Sequence, residues 1–148
     1  MKLIPIKGGA DHFLDLSNAP MFFEIVKMTF DFYKRVGFTE PWIGYFAKKN
    51  GDFVGTGGFK GKPVNGTIEI AYGTFDAFQN KGVGSEICRL LVEIAQSTDP
   101  TLKITARTLP EENFSTKILK KNRFIFSGTV QDPEDGEVWE WVYAPEAG

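Results

Sequence analysis

Apolar and polar positions follow two periods along this chain, and the switches between them mark out its elements. Lys2 to Ile6 reads as a first strand, ended by Pro5 and the Gly8-Gly9 pair. From Pro20 to Val36 the apolar residues Phe22, Phe23, Val26, Phe30 and Tyr33 fall near helical spacing, and Gly37 is placed to stop the helix. Trp42 to Lys48 is an aromatic strand, Asn50-Gly51 a hairpin turn, and Phe53 to Phe59 the returning strand. Glycines 55, 57 and 58 weaken that strand and predict a bulge or a close backbone contact. Asn65-Gly66 marks the next turn, and Thr67 to Thr74 is a further strand.

In the second half, Val83, Ile87, Leu90, Leu91, Ile94 and Ala95 form one apolar stripe over Val83 to Gln96, which predicts a helix packed on a sheet. Asp99-Pro100 ends it. Leu102 to Arg107 alternates as a strand, Asn113 to Lys121 is a short helix, and Phe124 to Val130 and Glu137 to Tyr143 are strands joined by the turn-rich segment 132–136. The order is strand, helix, hairpin, strand, helix, strand, helix, hairpin. It predicts an α+β layered domain over residues 1–148, with a mixed central sheet and helices on both faces.

The stretch most telling for function is Gln79-Asn80-Lys81-Gly82-Val83-Gly84-Ser85, between the Thr67–Thr74 strand and the striped helix. The first turn of a helix leaves its N–H groups without internal acceptors, and the helix dipole adds partial positive charge there. Such an end binds phosphate. Gly82 and Gly84 carry no Cβ, so a bulky anion can touch the backbone. A P-loop is excluded because Lys81 precedes the glycines and nothing after them would hold magnesium. A dinucleotide fingerprint is excluded because Ile87 occupies its third glycine position.

The loop fits Gln/Arg-x-x-Gly-x-Gly/Ala through Gln79, Gly82 and Gly84, and so resembles the pyrophosphate-binding motif of the GNAT superfamily, the acetyl-CoA-dependent N-acetyltransferases. Its flanks extend the likeness. Glu69-Ile70-Ala71-Tyr72 looks like the family's fourth strand, and the run from Thr105 through Ser115, Leu119, Lys121 and Phe124 is similar to the branch that acetylates ribosomal-protein N-termini. The resemblance runs from about Trp42 to Tyr143.

It implies acetyl-CoA as co-substrate, no metal, and a fold in which the fourth strand splays from the next. Amides near Gln79, Asn80, Lys81, Gly82, Val83, Gly84 and Ser85 would hold the pyrophosphate. Tyr72 and Thr74 would meet pantetheine through their backbone, and an N–H within 70–72 would face the oxyanion. Glu69 falls at an acidic position and is the candidate base, against a reading as a salt-bridged strand residue. Ser115 would bond the cofactor near its thiol; the alternative is a helix-start residue bonding its own backbone.

The chain also departs from the family pattern. Leu119 stands where many members carry a tyrosine that protonates the thiolate. The usual asparagine position falls on Glu112, with Asn113 one step on as the pantetheine contact. Arg123 replaces a common glycine, which predicts a different turn.

Composition narrows the setting. The chain is 42% apolar and 24% charged, with a formal charge of −2, which gives no general affinity for nucleic acid or anionic membrane and leans slightly toward a cationic acceptor. One cysteine cannot form an internal disulfide, and no apolar run is long enough to span a bilayer, so a cytoplasmic protein is expected. Cys88, beside the apolar stripe with no His partner, is not expected to act as a nucleophile. His12, the only histidine, is expected in a surface or loop role. Trp139 and Trp141 read as core or interface, or as walls of an acceptor site. Lys120 and Lys121 read as a solvated face within reach of a 3′-phosphate.

The expected activity is direct acetyl transfer from acetyl-CoA to a primary amine, on a small molecule or a protein N-terminus, with a homodimer possible. The alternatives are a non-catalytic acyl-CoA sensor or interaction protein, and a binder of another nucleotide phosphate.

Overall fold

A computed structural model describes residues 1–7 and 20–146. His12 and the Gly8-Gly9 pair lie outside the described residues. In chain order the elements are β1 (Lys2–Pro5), α1 (Pro20–Val36), β2 (Gly44–Lys49), β3 (Asp52–Phe59), β4 (Thr67–Thr74), α2 (Val83–Thr98), β5 (Lys103–Thr108), α3 (Phe114–Lys121), β6 (Phe124–Asp132) and β7 (Gly136–Tyr143), with a short 3₁₀ turn at Asp76–Phe78 ahead of α2. The sheet runs β1-β2-β3-β4-β5-β7-β6, antiparallel except for the β4–β5 pair.

Turn chemistry sets the hairpins. Asn50 and Gly51 take φ of 52° and 86°, and Asn65 and Gly66 take 52° and 72°, so both pairs form the left-handed turns that the asparagine–glycine sequence predicts. Gly37 (φ 90°) donates its N–H to the Tyr33 carbonyl at 2.7 Å and ends α1.

α1 covers one face of the sheet. The Tyr33 hydroxyl donates to the Ile6 carbonyl at 2.7 Å and accepts from the Gly44 N–H at 2.9 Å. Phe22 meets the rings of Phe46, Phe53 and Phe75 on the same side. α2 and α3 cover the opposite face, where α2 buries Val83, Ile87, Cys88, Leu91, Val92 and Ala95 against the sheet. Helices therefore flank both faces, as the element order predicts.

The glycines of β3 have separate consequences. The β2–β3 register shifts between Ala47 and Lys48, leaving Val54 as the extra residue of a bulge beside Gly55. At Gly57 a Cβ would lie 2.6 Å from Ile87 Cγ2 and 3.2 Å from Leu91 Cδ1, so α2 rests directly on the backbone there. Gly57→Val is expected to lower stability by about 2–3 kcal/mol through overpacking, read as a reduced denaturant midpoint. An unchanged midpoint would mean that α2 does not sit on this strand.

Candidate functional site

Hydrogen-bond parity along β4 builds the first half of the site. The Glu69 carbonyl accepts from the Lys60 N–H at 2.9 Å, and the Phe75 N–H donates to the Val54 carbonyl at 2.9 Å. Antiparallel pairing alternates between hydrogen-bonded and open pairs. Odd-numbered β4 residues therefore turn their polar backbone toward β3, and even-numbered ones turn it toward β5. Yet β5 pairs with β4 only from Thr67↔Lys103 to Ile70↔Ala106. Beyond that point β4 continues to Thr74 while β5 turns to β7, so the strands part. The N–H and C=O groups of Tyr72 and Thr74 are left facing the gap. The Ala71 N–H points the other way, so within 70–72 the first free donor is Tyr72.

The second half is the start of α2. Gly82, with φ of 77°, is its N-cap, and no side chain caps the helix. Glu86 N–H already returns to the Gly82 carbonyl at 3.1 Å, but among the described residues no acceptor serves the N–H groups of Val83, Gly84 and Ser85. Gly84 sits where a Cβ would come within 2.8 Å of Ile118 Cδ1 and 3.2 Å of Thr74 Oγ1. Its bare backbone is what lets α2, α3 and β4 converge. Asn122 fixes the adjacent serine by donating to Ser85 Oγ at 3.1 Å.

Between these parts lies a cavity of about 330 Å³. Of the sequence-predicted residues, Tyr72, Thr74, Gln79, Asn80, Gly82, Val83, Gly84, Ser85 and Ser115 all line it. Ser115 Oγ has no hydrogen-bond partner among the described residues, so it remains available to a ligand. Lys81 is not part of the lining; its ammonium stands 5.8 Å from the Phe78 ring centroid. Asn113 is likewise outside it, and its side-chain oxygen accepts from the Thr116 N–H at 3.0 Å as the N-cap of α3. Lys120 is drawn to Glu112 at 3.2 Å, leaving Lys121 as the lysine of that pair at the cavity.

Sequence reading missed Lys117, which lines the cavity four residues before Lys121 on the same face of α3, and it missed Phe78, Phe114 and Ile118. The i,i+4 lysine spacing was the available signal. No carboxylate lines this cavity, whose charged groups are Lys117 and Lys121, set beside the positive end of α2. Its lining suits an elongated polyanion with an apolar arm.

Glu69 lies outside this lining, on the α1 side of β4. Its carboxylate is 3.7 Å from Arg107 Nε, and Arg107 also approaches Asp132 at 3.0 Å and Glu140 at 3.5 Å. Burial pushes the Glu69 carboxyl above its ordinary range, opposed by the charges of Arg107 and Lys60. It is 22% exposed, so water reaches it.

Other expectations resolve in the same region. Leu119 is 1% exposed and packed in the core, leaving no hydroxyl at that position. Arg123 takes φ of 67°, the left-handed form a glycine adopts readily. The arginine thus keeps a glycine-type turn and corrects the expectation of a different one. Burial pushes the Cys88 thiol up to about 12, which suits an inert core residue. Trp141 is core, donating from Nε1 to Thr108 Oγ1 at 3.0 Å.

A second cavity, of about 470 Å³, opens on the α1 face and shares Tyr72 and Gly73 with the first. Two openings therefore meet at the point where β4 leaves β5.

Comparison with known proteins agrees with this geometry. The model of the acetyltransferase (GNAT) domain matches residues 15–125. An uncharacterized N-acetyltransferase of Bacillus subtilis (strain 168), YjdG, is 33% identical over 105 residues, covering 70% of this chain; the chain spans 59% of that relative's length. Among solved structures, a ribosomal L7/L12 α-N-protein acetyltransferase in complex with coenzyme A superposes with a TM-score of 0.68 at 14% identity, covering 99% of this chain and 100% of that one. An aminoglycoside acetyltransferase in complex with coenzyme A superposes with a TM-score of 0.60 at 24% identity, over 71% of this chain and 67% of that one. At such identities these two are likenesses of fold. With three quarters of its length matched to the family domain, and its strands parted beside an uncapped helix start, this chain belongs to the GNAT acetyltransferase family.

Proposed function

We propose that the protein transfers the acetyl group of acetyl-CoA to a primary amine. The observation that carries this reading is the unpartnered row of amides at Val83, Gly84 and Ser85, opening into the same cavity as the free β4 edge at Tyr72 and Thr74. The amides hold the pyrophosphate. Lys117 and Lys121 meet the remaining phosphate charge, and pantetheine extends along the parted edge as a substitute strand.

The thioester then lies where the two cavities join. The amine enters from the 470 Å³ side and attacks the carbonyl carbon. The Tyr72 N–H is placed for the oxyanion, an effect typically worth about 100- to 1,000-fold. As the intermediate collapses, the carbon–sulfur bond breaks and CoA leaves as thiolate. The amine proton passes through water to Glu69, two residues from Ala71 on the same face of β4. Leu119 offers no acid, so the thiolate takes its proton from solvent. Among the described residues no activated nucleophile is near, so transfer is direct. A cytoplasmic setting suits this reading, since the single buried cysteine needs no oxidising compartment.

The test combines thermal shift with coenzyme A and thiol release from acetyl-CoA over an amine panel. Stabilisation by CoA, with thiol release dependent on amine, is expected. Leu119 in place of a tyrosine favours one competitor, an acyl-CoA sensor, which predicts stabilisation by CoA and no release with any amine. Stabilisation by ATP or NAD and none by CoA would overturn both.

A further inference from the structure

If the protein is the amine acetyltransferase proposed for it, the acceptor side carries information about the amine. The α1-side walls of the larger cavity are mostly apolar and aromatic, with Ile6, Ile25, Met28, Phe32 and Tyr33 among them. Its volume, about 470 Å³, is in the range of small-molecule sites. The charged side chains of the described lining are Arg35 and Lys60, and no carboxylate is part of it. Glu69, close by on the same face, is held by Arg107 outside the lining.

Both cations are available. Lys60 is exposed and has no ion pair within 4 Å among the described residues, although its charge also reaches Glu69 across the β3–β4 pair. Arg35 lies over the Phe32 ring at 5.2 Å and reaches Glu134 only at 3.8 Å, between two exposed side chains, a pairing of little strength. A polycationic amine would bring like charge to these two groups and set its ammonium groups against apolar walls without partners.

We propose that the acceptor is an amphipathic primary amine with an apolar, ring-sized body and an anionic group at the end remote from the amine. The body fills the aromatic cavity, Lys60 and Arg35 hold the anion, and the amine reaches the β4 edge at Ala71–Gly73. Register sets the spacing. Gly58 pairs with Ala71 and Thr56 with Gly73, and Lys60 lies two and four residues further along the chain, so amine and anion stand about 7 to 14 Å apart along the strand direction. This reverses the slight lean toward a cationic acceptor that the overall charge of −2 suggested. The local field at the cavity, and not the net charge, meets the substrate.

The experiment measures amine-dependent thiol release with three probes: para-(aminoethyl)benzoate, phenethylamine and spermidine. The benzoate is expected to have the highest kcat/KM, about tenfold above phenethylamine, as one partly desolvated charge pair supplies. Lys60→Glu is expected to invert that preference while leaving the KM for acetyl-CoA unchanged, and Lys60→Ala to abolish it. Equal rates for the benzoate and phenethylamine, preference for spermidine, or unchanged selectivity in both Lys60 variants would overturn the charge assignment while leaving the transferase reading intact. Absence of thiol release with every amine, with CoA still bound, would overturn the transferase reading and this assignment together.

Discussion

Gly82→Asp is expected to cost at least about 100-fold in coenzyme A affinity while costing the apo fold only about 1 kcal/mol. The two parts of that result have separate causes. Gly82 sits in the left-handed region with φ of 77°, and a Cβ there would meet nothing within 4 Å. Aspartate is one of the few side chains that visits this region, at a strain of about 1 kcal/mol. The apo protein should therefore tolerate it. The cofactor should not, because a carboxylate would stand where the amides of Val83, Gly84 and Ser85 converge, repelling the diphosphate and competing for its donors. Gly82→Asn separates charge from bulk: it fills nearly the same volume without the charge and should lose only a few-fold. Gly84→Asp should also abolish binding, but its Cβ would press on Ile118 at 2.8 Å, so a packing defect accompanies the repulsion. Calorimetric titration with coenzyme A, alongside unfolding of the apo variants, decides the matter. CoA affinity retained in Gly82→Asp would remove the helix start from the binding site.

The segment proposed to bind phosphate was legible in sequence because its physics is local. An uncapped helix start with glycines at 82 and 84 announces exposed amides wherever the helix lies, and the structure brings all but Lys81 of segment 79–85 to one cavity. The helices and strands were legible for a related reason: the asparagine–glycine turns and the stripe from Val83 to Ala95 act over short distances. What stayed hidden depends on contacts between distant segments. Arg107 meeting Glu69, Asp132 and Glu140 needs the β4-β5-β7-β6 order, which no periodicity reveals. The 470 Å³ cavity joins α1 to β3 and β4, so its charge pattern has no signature in any one stretch. The Asn113 side chain stands outside the cavity because its oxygen caps α3 through the Thr116 amide, a local bond formed within three residues. Lys81 is part of the motif by spacing, yet its side chain is placed against Phe78 by the 3₁₀ turn, an element the hydrophobic pattern did not show.

Glu69→Gln is expected to reduce kcat by about 100- to 10,000-fold, the usual contribution of a positioned general base, with little change in coenzyme A affinity. The pH dependence distinguishes this from simple damage. Burial raises the Glu69 carboxyl above the ordinary glutamate range, and Arg107 opposes that rise. A base works deprotonated, so kcat/KM should climb with pH through an apparent pKa above that range in the unmodified protein, and the limb should vanish in the glutamine variant. Removing the opposing cation with Arg107→Met should move the limb to higher pH, because the charge that favours the ionised carboxylate is lost. Stability runs in a known direction as well. A carboxyl whose folded-state pKa is raised favours the fold below its unfolded pKa and loses that contribution as pH rises through the folded value. Ionisation of Glu69 at neutral pH therefore does not support the fold, and glutamine should leave the neutral-pH unfolding midpoint nearly unchanged, so a slow Glu69→Gln enzyme would be slow for chemical reasons. An unaltered rate and an unaltered acid limb would instead make Glu69 a structural partner of Arg107, alongside Asp132 and Glu140, and leave water to take the proton from the attacking amine.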